Sequence, residues 1–292
     1  MRVIQYDLRP YFGKHKKRIE LVSWQDLHIG NSAFHDECFN SMVKRAKTRP
    51  NIGLGDFIEA IAPDDPRFAI GEHSDTLLEE IAYASKMIAP LAKTCIGVIP
   101  GNHEDKAARK IGFVVEDICG RVKDKTGIVL QHLSDTCYID FKCPDGTFRG
   151  FFAHGGSNTN PRSGEPERRQ VNKKIWLRNY LYDFDAYLKG IGHGHKCIVA
   201  EPVMEHKLTV SDGRVKRRPV PIIPGWHYMG PYMFRTYDQD ASTGNYAERQ
   251  LYRSTSIGWV EPVINRDGTI PMMRHMGDDG SVLNEYVPTE VD

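Results

Sequence analysis

Ile19-Glu20-Leu21-Val22-Ser23-Trp24, with Asp26-Leu27-His28 beginning one residue beyond it, is the stretch from which the fold is read. The apolar run reads as a strand, and the acid and imidazole at its end read as a loop. Downstream, Phe34, Cys38, Met42 and Ala46 fall on one face of a helix. Asn51-Ile52-Gly53-Leu54 is a second short strand, ending at Gly55-Asp56. After a Pro/Asp-rich loop, Ser74 is placed to cap a helix carrying Leu77, Ile81, Ala84 and Ile88. A third strand over 94–99 ends at Gly101-Asn102-His103-Glu104. This βαβαβ order predicts a largely parallel sheet with helices packed over it.

Beyond about residue 128 antiparallel pairing enters, with strands at 137–142 and 148–153 joined through the turn Pro144-Asp145-Gly146. A helix over 171–183 leads to a strand at 186–191, and a further hairpin turns at Ser211-Asp212-Gly213. From Gly225 onward the pattern yields only short strands or ordered loops around an Asp267-Gly268 turn. With no repeat or low-complexity tract, the simplest partition is a catalytic domain over 1–224 and an extension over 225–292 packed on it.

A chain of 292 residues with a 40% hydrophobic share can bury a sizeable core, and its formal charge of +1 leaves no global field toward nucleic acid or membrane. Any affinity for a polyanion must be local. Cys38, Cys95, Cys119, Cys137, Cys143 and Cys197 form no Cys-x-x-Cys pair, which fits reduced thiols in the cytoplasm. No apolar run suits a signal peptide or a membrane span, so a cytoplasmic protein without a membrane partner is expected.

Five motifs carry the chemistry: Asp26-Leu27-His28, Gly55-Asp56, Gly101-Asn102-His103-Glu104, His154-Gly155 and His193-Gly194-His195. Four follow directly on predicted strands, where an α/β sheet gathers its ligand-binding loops. Besides His103 they supply two carboxylates, one amide oxygen and four imidazoles, a donor set suited to manganese, iron(II), zinc and similar dications rather than to a thiolate site. Seven donors exceed the need of one such ion. The other histidines, among them His15, His35, His73, His132, His206 and His275, read as surface or core residues, with His227 a candidate to line a cleft.

The order Asp-x-His, Gly-Asp, Gly-Asn-His-Glu, His, Gly-His-x-His over residues 26–195 resembles the calcineurin-like metallophosphoesterase superfamily. That resemblance implies an α/β fold, a four-layer α/β/β/α sandwich of two mixed β-sheets flanked by helices. It implies two divalent metal ions, with manganese foremost and iron(II), zinc, nickel or magnesium as alternatives. Asp26, His28 and His195 would bind the first ion, Asn102, His154 and His193 the second, and Asp56 both. Such a pair provides hydroxide near neutral pH and neutralises phosphate oxygens. The resemblance makes His103 the general acid, and Glu104, or Asp105, is expected to orient its imidazole and favour the protonated form.

For the substrate, Arg162, Arg168 and Arg169 in the loop between two ligand motifs are candidates to contact phosphate, since guanidinium forks match its geometry. The basic runs at 14–18 and 214–218 read as solvated faces. Phe57-Ile58-Glu59-Ala60 after Gly55-Asp56 departs from the Gly-Asp-x-Val-Asp-Arg-Gly of the family's protein phosphatases. It is similar in part to the lipid pyrophosphate hydrolases, which carry Arg where His103 stands. Motif order and the retained histidine are similar to the repair-exonuclease branch. The expectation is therefore a phosphodiesterase acting on DNA, RNA or a nucleotide. A phosphomonoesterase, a lipid or nucleotide pyrophosphate hydrolase, and a non-catalytic binding module of the same fold are the alternatives.

Overall fold

The computed structural model describes residues 1–61, 65, 68, 76–156, 165–235 and 257–291. The strands of the first half are β1 (Arg2–Asp7), β2 (Arg18–Glu20), β3 (Val22–Trp24), β4 (Asn51–Leu54), β5 (Cys95–Ile99), β6 (Thr136–Lys142) and β7 (Thr147–Ala153). There follow β8 (Leu188–Ile191), β9 (Ile198–Ala200), β10 (Val203–Ser211), β11 (Arg214–Ile223), β12 (Trp226–Met229), β13 (Trp259–Asn265), β14 (Met272–Met276), β15 (Val282–Tyr286) and β16 (Thr289–Val291). The helices are α1 (Arg9–Phe12), α2 (Asp36–Ala46), α3 (Leu77–Ile88), α4 (Asn102–Ile111), α5 (Val114–Thr126) and α6 (Pro166–Tyr180).

One mixed sheet runs β1-β6-β7-β8-β12-β9, and a second runs β15-β14-β13-β3-β4-β5 with β2 also on β13. Three cores show how they stack. Leu21, Ile52 and Val260 of the second sheet share a cluster with Ile139, Phe152 and Tyr228 of the first, so this core lies between the sheets. Val22 and Trp24 point the other way, into a cluster with Phe39 of α2, Ile81 of α3 and Ile118 of α5. On the outer face of the first sheet, Phe151, Ile191 and Met229 pack against Leu177 of α6. Period-two alternation sends successive residues to opposite faces, which is how one strand serves two cores. The result is the four-layer α/β/β/α sandwich.

The expected 19–24 strand is cut in two at Leu21. In the β2–β13 and β3–β13 register Leu21 stands opposite Pro262, whose nitrogen carries no hydrogen, so the ladder cannot close there. Leu21 keeps one bond, from its N–H to the Pro262 carbonyl at 3.0 Å. The expected helix over 171–183 begins earlier, at Pro166, where proline suits the first helical turn. Thr76 caps α3, its hydroxyl accepting the Glu79 N–H at 3.2 Å, while Ser74 lies outside the described residues. Strands from beyond residue 225 are woven into both sheets: β12 lies between β8 and β9, and β13 between β14 and β3.

β3, β4 and β5 are parallel neighbours, as are β7 and β8. Each of the five motifs begins within two residues of the C-terminal end of one of these strands.

Candidate metal centre

The loops after β3 and β4 are zipped together by their backbones. The N–H of Asp26 donates to the Gly55 carbonyl at 2.9 Å, Leu27 to Asp56 at 2.8 Å, Ile29 to Phe57 at 3.0 Å and Glu59 to Ile29 at 2.9 Å. This fixes Asp26, His28 and Asp56 before any side chain is considered. Among the described residues eight non-glycine positions have positive φ, and five of them are Asp26, His28, Asp56, His193 and His195, at 49° to 64°. Such a backbone costs of order 1–3 kcal/mol per residue and persists where surrounding contacts enforce it, as at functional sites.

The side chains converge. One donor atom from each of Asp26, His28, Asp56 and His195 lies within 4.8 Å of the others, and the same is true of Asp56, His154 and His193. His28 Nε2 is 3.1 Å from His195 Nε2, and His195 Nε2 is 3.4 Å from Asp26 Oδ1. His154 Nε2 is 3.1 Å from Asp56 Oδ2 and 3.2 Å from Asn102 Oδ1. All seven residues expected as ligands are thus brought to one place, with Asp56 common to both groups.

The outer nitrogens of two imidazoles decide what the inner ones offer. His154 Nδ1 faces the Leu54 carbonyl at 2.6 Å and must donate to it; His28 Nδ1 faces Glu59 Oε2 at 2.8 Å and does likewise. Each Nε2 then presents a lone pair to oxygens and nitrogens that are themselves acceptors. His193 Nδ1 is buried with no hydrogen-bond partner among the described residues. Acceptors gathered around two points, with one buried nitrogen unpartnered, fit cations placed between them. The donor set, oxygen and imidazole without sulfur, suits divalent transition ions.

Charge points the same way. Burial opposes the charged form of His28, but Glu59, then Asp56 and Asp26, overcome it and push the imidazole up to about 9. Burial is likewise overcome at His154, by Asp56, Asp26 and the Leu54 carbonyl, giving about 10. Burial would raise Asp56, yet His154, His103 and His28 hold its carboxyl well below the usual range. The buried carboxylates demand positive charge at these nitrogens, and a dication meets that demand as a proton does.

His103 and Glu104 depart from expectation. Glu104, buried at the third position of α4, turns both oxygens to the backbone: Oε2 accepts the N–H of Asp56 at 2.9 Å and of Gly101 at 2.7 Å, and Oε1 those of Phe57 at 2.7 Å and Ile58 at 3.0 Å. It holds a loop, whereas the His103 imidazole is held at Nδ1 by the Glu59 carbonyl oxygen. Nor is His103 raised: burial lowers it and so does His28, against Asp56 and Glu59. The backbone N–H of His103 donates to Asp56 Oδ1 at 2.9 Å, so the carboxylate shared by the two donor groups also caps the start of α4, where the helix dipole favours it.

Glu59 is the residue of the candidate site that sequence reasoning missed. Its side chain holds His28 and its main chain holds His103, and its one sequence signal was a carboxylate three residues after Asp56. Residues 230–235 form a second missed device, a strap crossing from one sheet to the other. Gly230 N–H donates to Ile191 at 2.9 Å, Gln25 Nε2 to Pro231 at 2.5 Å, Met233 to Asp26 at 3.1 Å and Arg235 to Ala33 at 2.7 Å. Its Tyr232 stacks on His195 with centroids 5.3 Å apart, and Phe234 meets the His28 ring edge-on at 5.8 Å.

Of the arginines, Arg162 lies outside the described residues, while Arg168 and Arg169 stand in the first turn of α6. The far end of α6 is tied by Arg178 to the Glu201 carbonyl at 2.7 Å, beside the end of β9, so its first turn faces the end from which His154 emerges. His227 lines no cleft: it is buried on β12, paired in register with Lys189 and Ala200. All six cysteines are free. No helix among the described residues is long and apolar enough to cross a membrane.

No family model and no curated protein matches the sequence. Solved structures similar to the chain include a conserved uncharacterised protein of Streptococcus pneumoniae described as a predicted phosphoesterase, 10% identical over 92% of this chain and 98% of that one, with a TM-score of 0.39. GAP50, the anchor in the inner membrane complex of Plasmodium, is 9% identical over 95% and 90%, at 0.42. PhoD is 12% identical over 96% and 75%, at 0.38. Likenesses this weak carry no argument about what this chain does.

Proposed function

We propose that the protein is a dinuclear-metal phosphoesterase of the calcineurin-like kind, a phosphodiesterase acting on nucleic acid or a nucleotide. The observation that carries this reading is the sharing of Asp56 between two groups of inward-turned donors. Asp26, His28, Asp56 and His195 would hold one ion, and Asp56, Asn102, His154 and His193 the other. When bound, two dications supply an activated water near neutral pH and neutralise the phosphate oxygens.

The chain itself contributes position and a proton path. Glu59 and the Leu54 carbonyl lock His28 and His154 in the tautomer that points Nε2 inward, so no reorganisation is needed when the ligands are used. The Glu59 carbonyl holds His103 at Nδ1, which turns Nε2 toward the site as a proton acceptor, and His103 would serve as the acid toward a departing alkoxide only once that nitrogen has taken up a proton. Arg168 and Arg169 approach the substrate phosphate from the first turn of α6.

Metal content and turnover of an aryl phosphodiester with manganese present test the reading together. The expected result is about two manganese ions per chain, a rise in thermal midpoint with manganese, and loss of both in Asp56→Asn. A wild-type protein that takes up no divalent ion and shows no manganese-dependent turnover would reject it.

A further inference from the structure

β10 and β11 form a hairpin whose outer part stands clear of both sheets. At its base β10 pairs with β16 over Val203, Met204 and Glu205, and beyond Glu205 its ladder partner among the described residues is β11. Asp212 and Gly213 at the tip both take positive φ, 54° and 69°, the geometry of a tight two-residue turn. The ladder pairs Lys207 with Arg218, Thr209 with Lys216 and Ser211 with Arg214; between these lie Leu208 with Arg217 and Val210 with Val215. Directly opposed residues share a face and successive pairs alternate. One face of the ribbon therefore presents Lys207, Arg214, Lys216 and Arg218, all exposed, and the other presents Leu208, Val210 and Val215 with a single cation, Arg217.

Two acids flank the basic face, Asp212 at 3.2 Å from Lys216 and Glu205 at 3.9 Å from Lys207. Both pairs are exposed, and exposed pairs are worth little, so the cations remain available to a stronger anion. Arg214, Lys216 and Arg218 recur at about 6.8 Å, two residue steps of a strand, against about 3.4 Å per charge along each strand of a duplex. A two-stranded β-ribbon is also the shape that the major groove of duplex DNA admits. Pairing with a second copy is disfavoured, because Pro219 and Pro221 remove two N–H donors from β11, which is an edge strand.

We propose that the 203–223 ribbon is a docking arm for duplex DNA, its basic face lying on the phosphates. The arm is distinct from the metal centre. β9 runs away from the end where His193 and His195 lie and β12 returns toward it, so the arm springs from the opposite end of the sheet. It anchors a polymer rather than gripping the reacting ester. The identity of that polymer as substrate rests on the phosphodiesterase reading, whereas the binding does not.

Anisotropy of a labelled duplex of about 20 base pairs, about two helical turns, titrated with the full chain across a salt series, tests the assignment. The triple variant R214E/K216E/R218E is expected to bind at least tenfold more weakly, with a salt slope shallower by about 2.7, roughly 0.9 for each of three phosphate contacts. R214Q/K216Q/R218Q, which keeps the exposed ladder uncharged, reproduces the loss should the reversal disturb folding. L208S/V210S/V215T is expected to bind as the wild type does. The proposal is overturned by unchanged affinity and slope in both charge variants, by loss in the apolar-face variant alone, or by binding to anionic phosphatidylserine vesicles and not to DNA. Aryl phosphodiester turnover by the wild type separates the two readings: duplex binding through the arm without turnover upholds this one and rejects the other, and turnover without arm-dependent binding does the reverse.

Discussion

A Cβ added to Gly101 would stand 2.1 Å from Asp56 Oδ1 and 2.2 Å from its backbone nitrogen, closer than any real contact allows. The crowding atoms belong to the carboxylate shared by both donor groups, which is also bonded to His103 N–H, so the methyl group can be accommodated only by moving that residue. Gly101→Ala is expected to cost about 1–3 kcal/mol as an overpacked site and to weaken manganese binding at least tenfold, read by calorimetry. Wild-type affinity in that variant would show that Asp56 has room to move. At His227 the physics concerns a proton. Burial first, then Lys189 and Arg178, push its imidazole down to about 4 against a hydrogen bond with the Gly225 backbone, and its Nδ1 is buried with no hydrogen-bond partner among the described residues. The unfolded chain holds it near 6.5, so the neutral form stabilises the fold fully above about pH 6.5, and that contribution is lost as pH falls toward 4. The difference is about 3 kcal/mol in order of magnitude. His227→Gln cannot titrate and is expected to flatten the fall in urea midpoint between pH 6.5 and 4. A fall as steep as the wild type's would assign acid instability to other groups.

The loops after β3 and β4 and the start of α4 act as one element, tied by Glu104. Glu104→Gln keeps one acceptor oxygen and turns an amide NH₂ toward two backbone N–H groups, leaving buried donors facing donors. The expected loss is about 2–4 kcal/mol, from two missing bonds and their desolvation, read from urea unfolding at pH 8. A loss under about 0.5 kcal/mol would mean that the loop holds itself. Sequence legibility divides along the same lines. Asp26, Asp56, Asn102 and the imidazoles were readable because each follows a short apolar strand, and β4 was placed to the residue. Glu59 was not, because its task depends on a loop-to-loop zipper that no local pattern announces. The break at Leu21 was hidden for a similar reason: its cause, Pro262, is remote in the chain. α4 opens on the very residues that read as a ligand motif, and the face it buries is carried by His103, Glu104 and Ala107, two of them polar residues that do not announce a core-facing stripe. β1 pairs with β6 across more than 130 residues, a contact that only tertiary packing chooses.

At the scale of the whole molecule the question is whether residues 1–224 can stand alone. β12 supplies the hydrogen-bond partner of both β8 and β9, and its Trp226 and Tyr228 are fully buried between the sheets, with Tyr228 donating to Ser23 of β3 at 2.9 Å. β13 covers the edge of β3, brings Val260 and Ile264 into the same core, and places Glu261 under Arg45 of α2 in a two-pronged ion pair at 2.7 Å. Removing residues 225–292 would expose edges of β3, β8 and β9, empty part of the central layer and leave Arg45 without its carboxylate. Each large core residue lost carries about 3–5 kcal/mol, and three of them together match the whole stability of an ordinary domain, about 5–15 kcal/mol. The 1–224 fragment is therefore expected to show no cooperative thermal transition by near-ultraviolet circular dichroism and to bind a hydrophobic dye. A sharp transition within a few degrees of the full chain's would instead make the C-terminal strands an accessory, and the metal centre would then be expected to assemble in the fragment with wild-type manganese affinity.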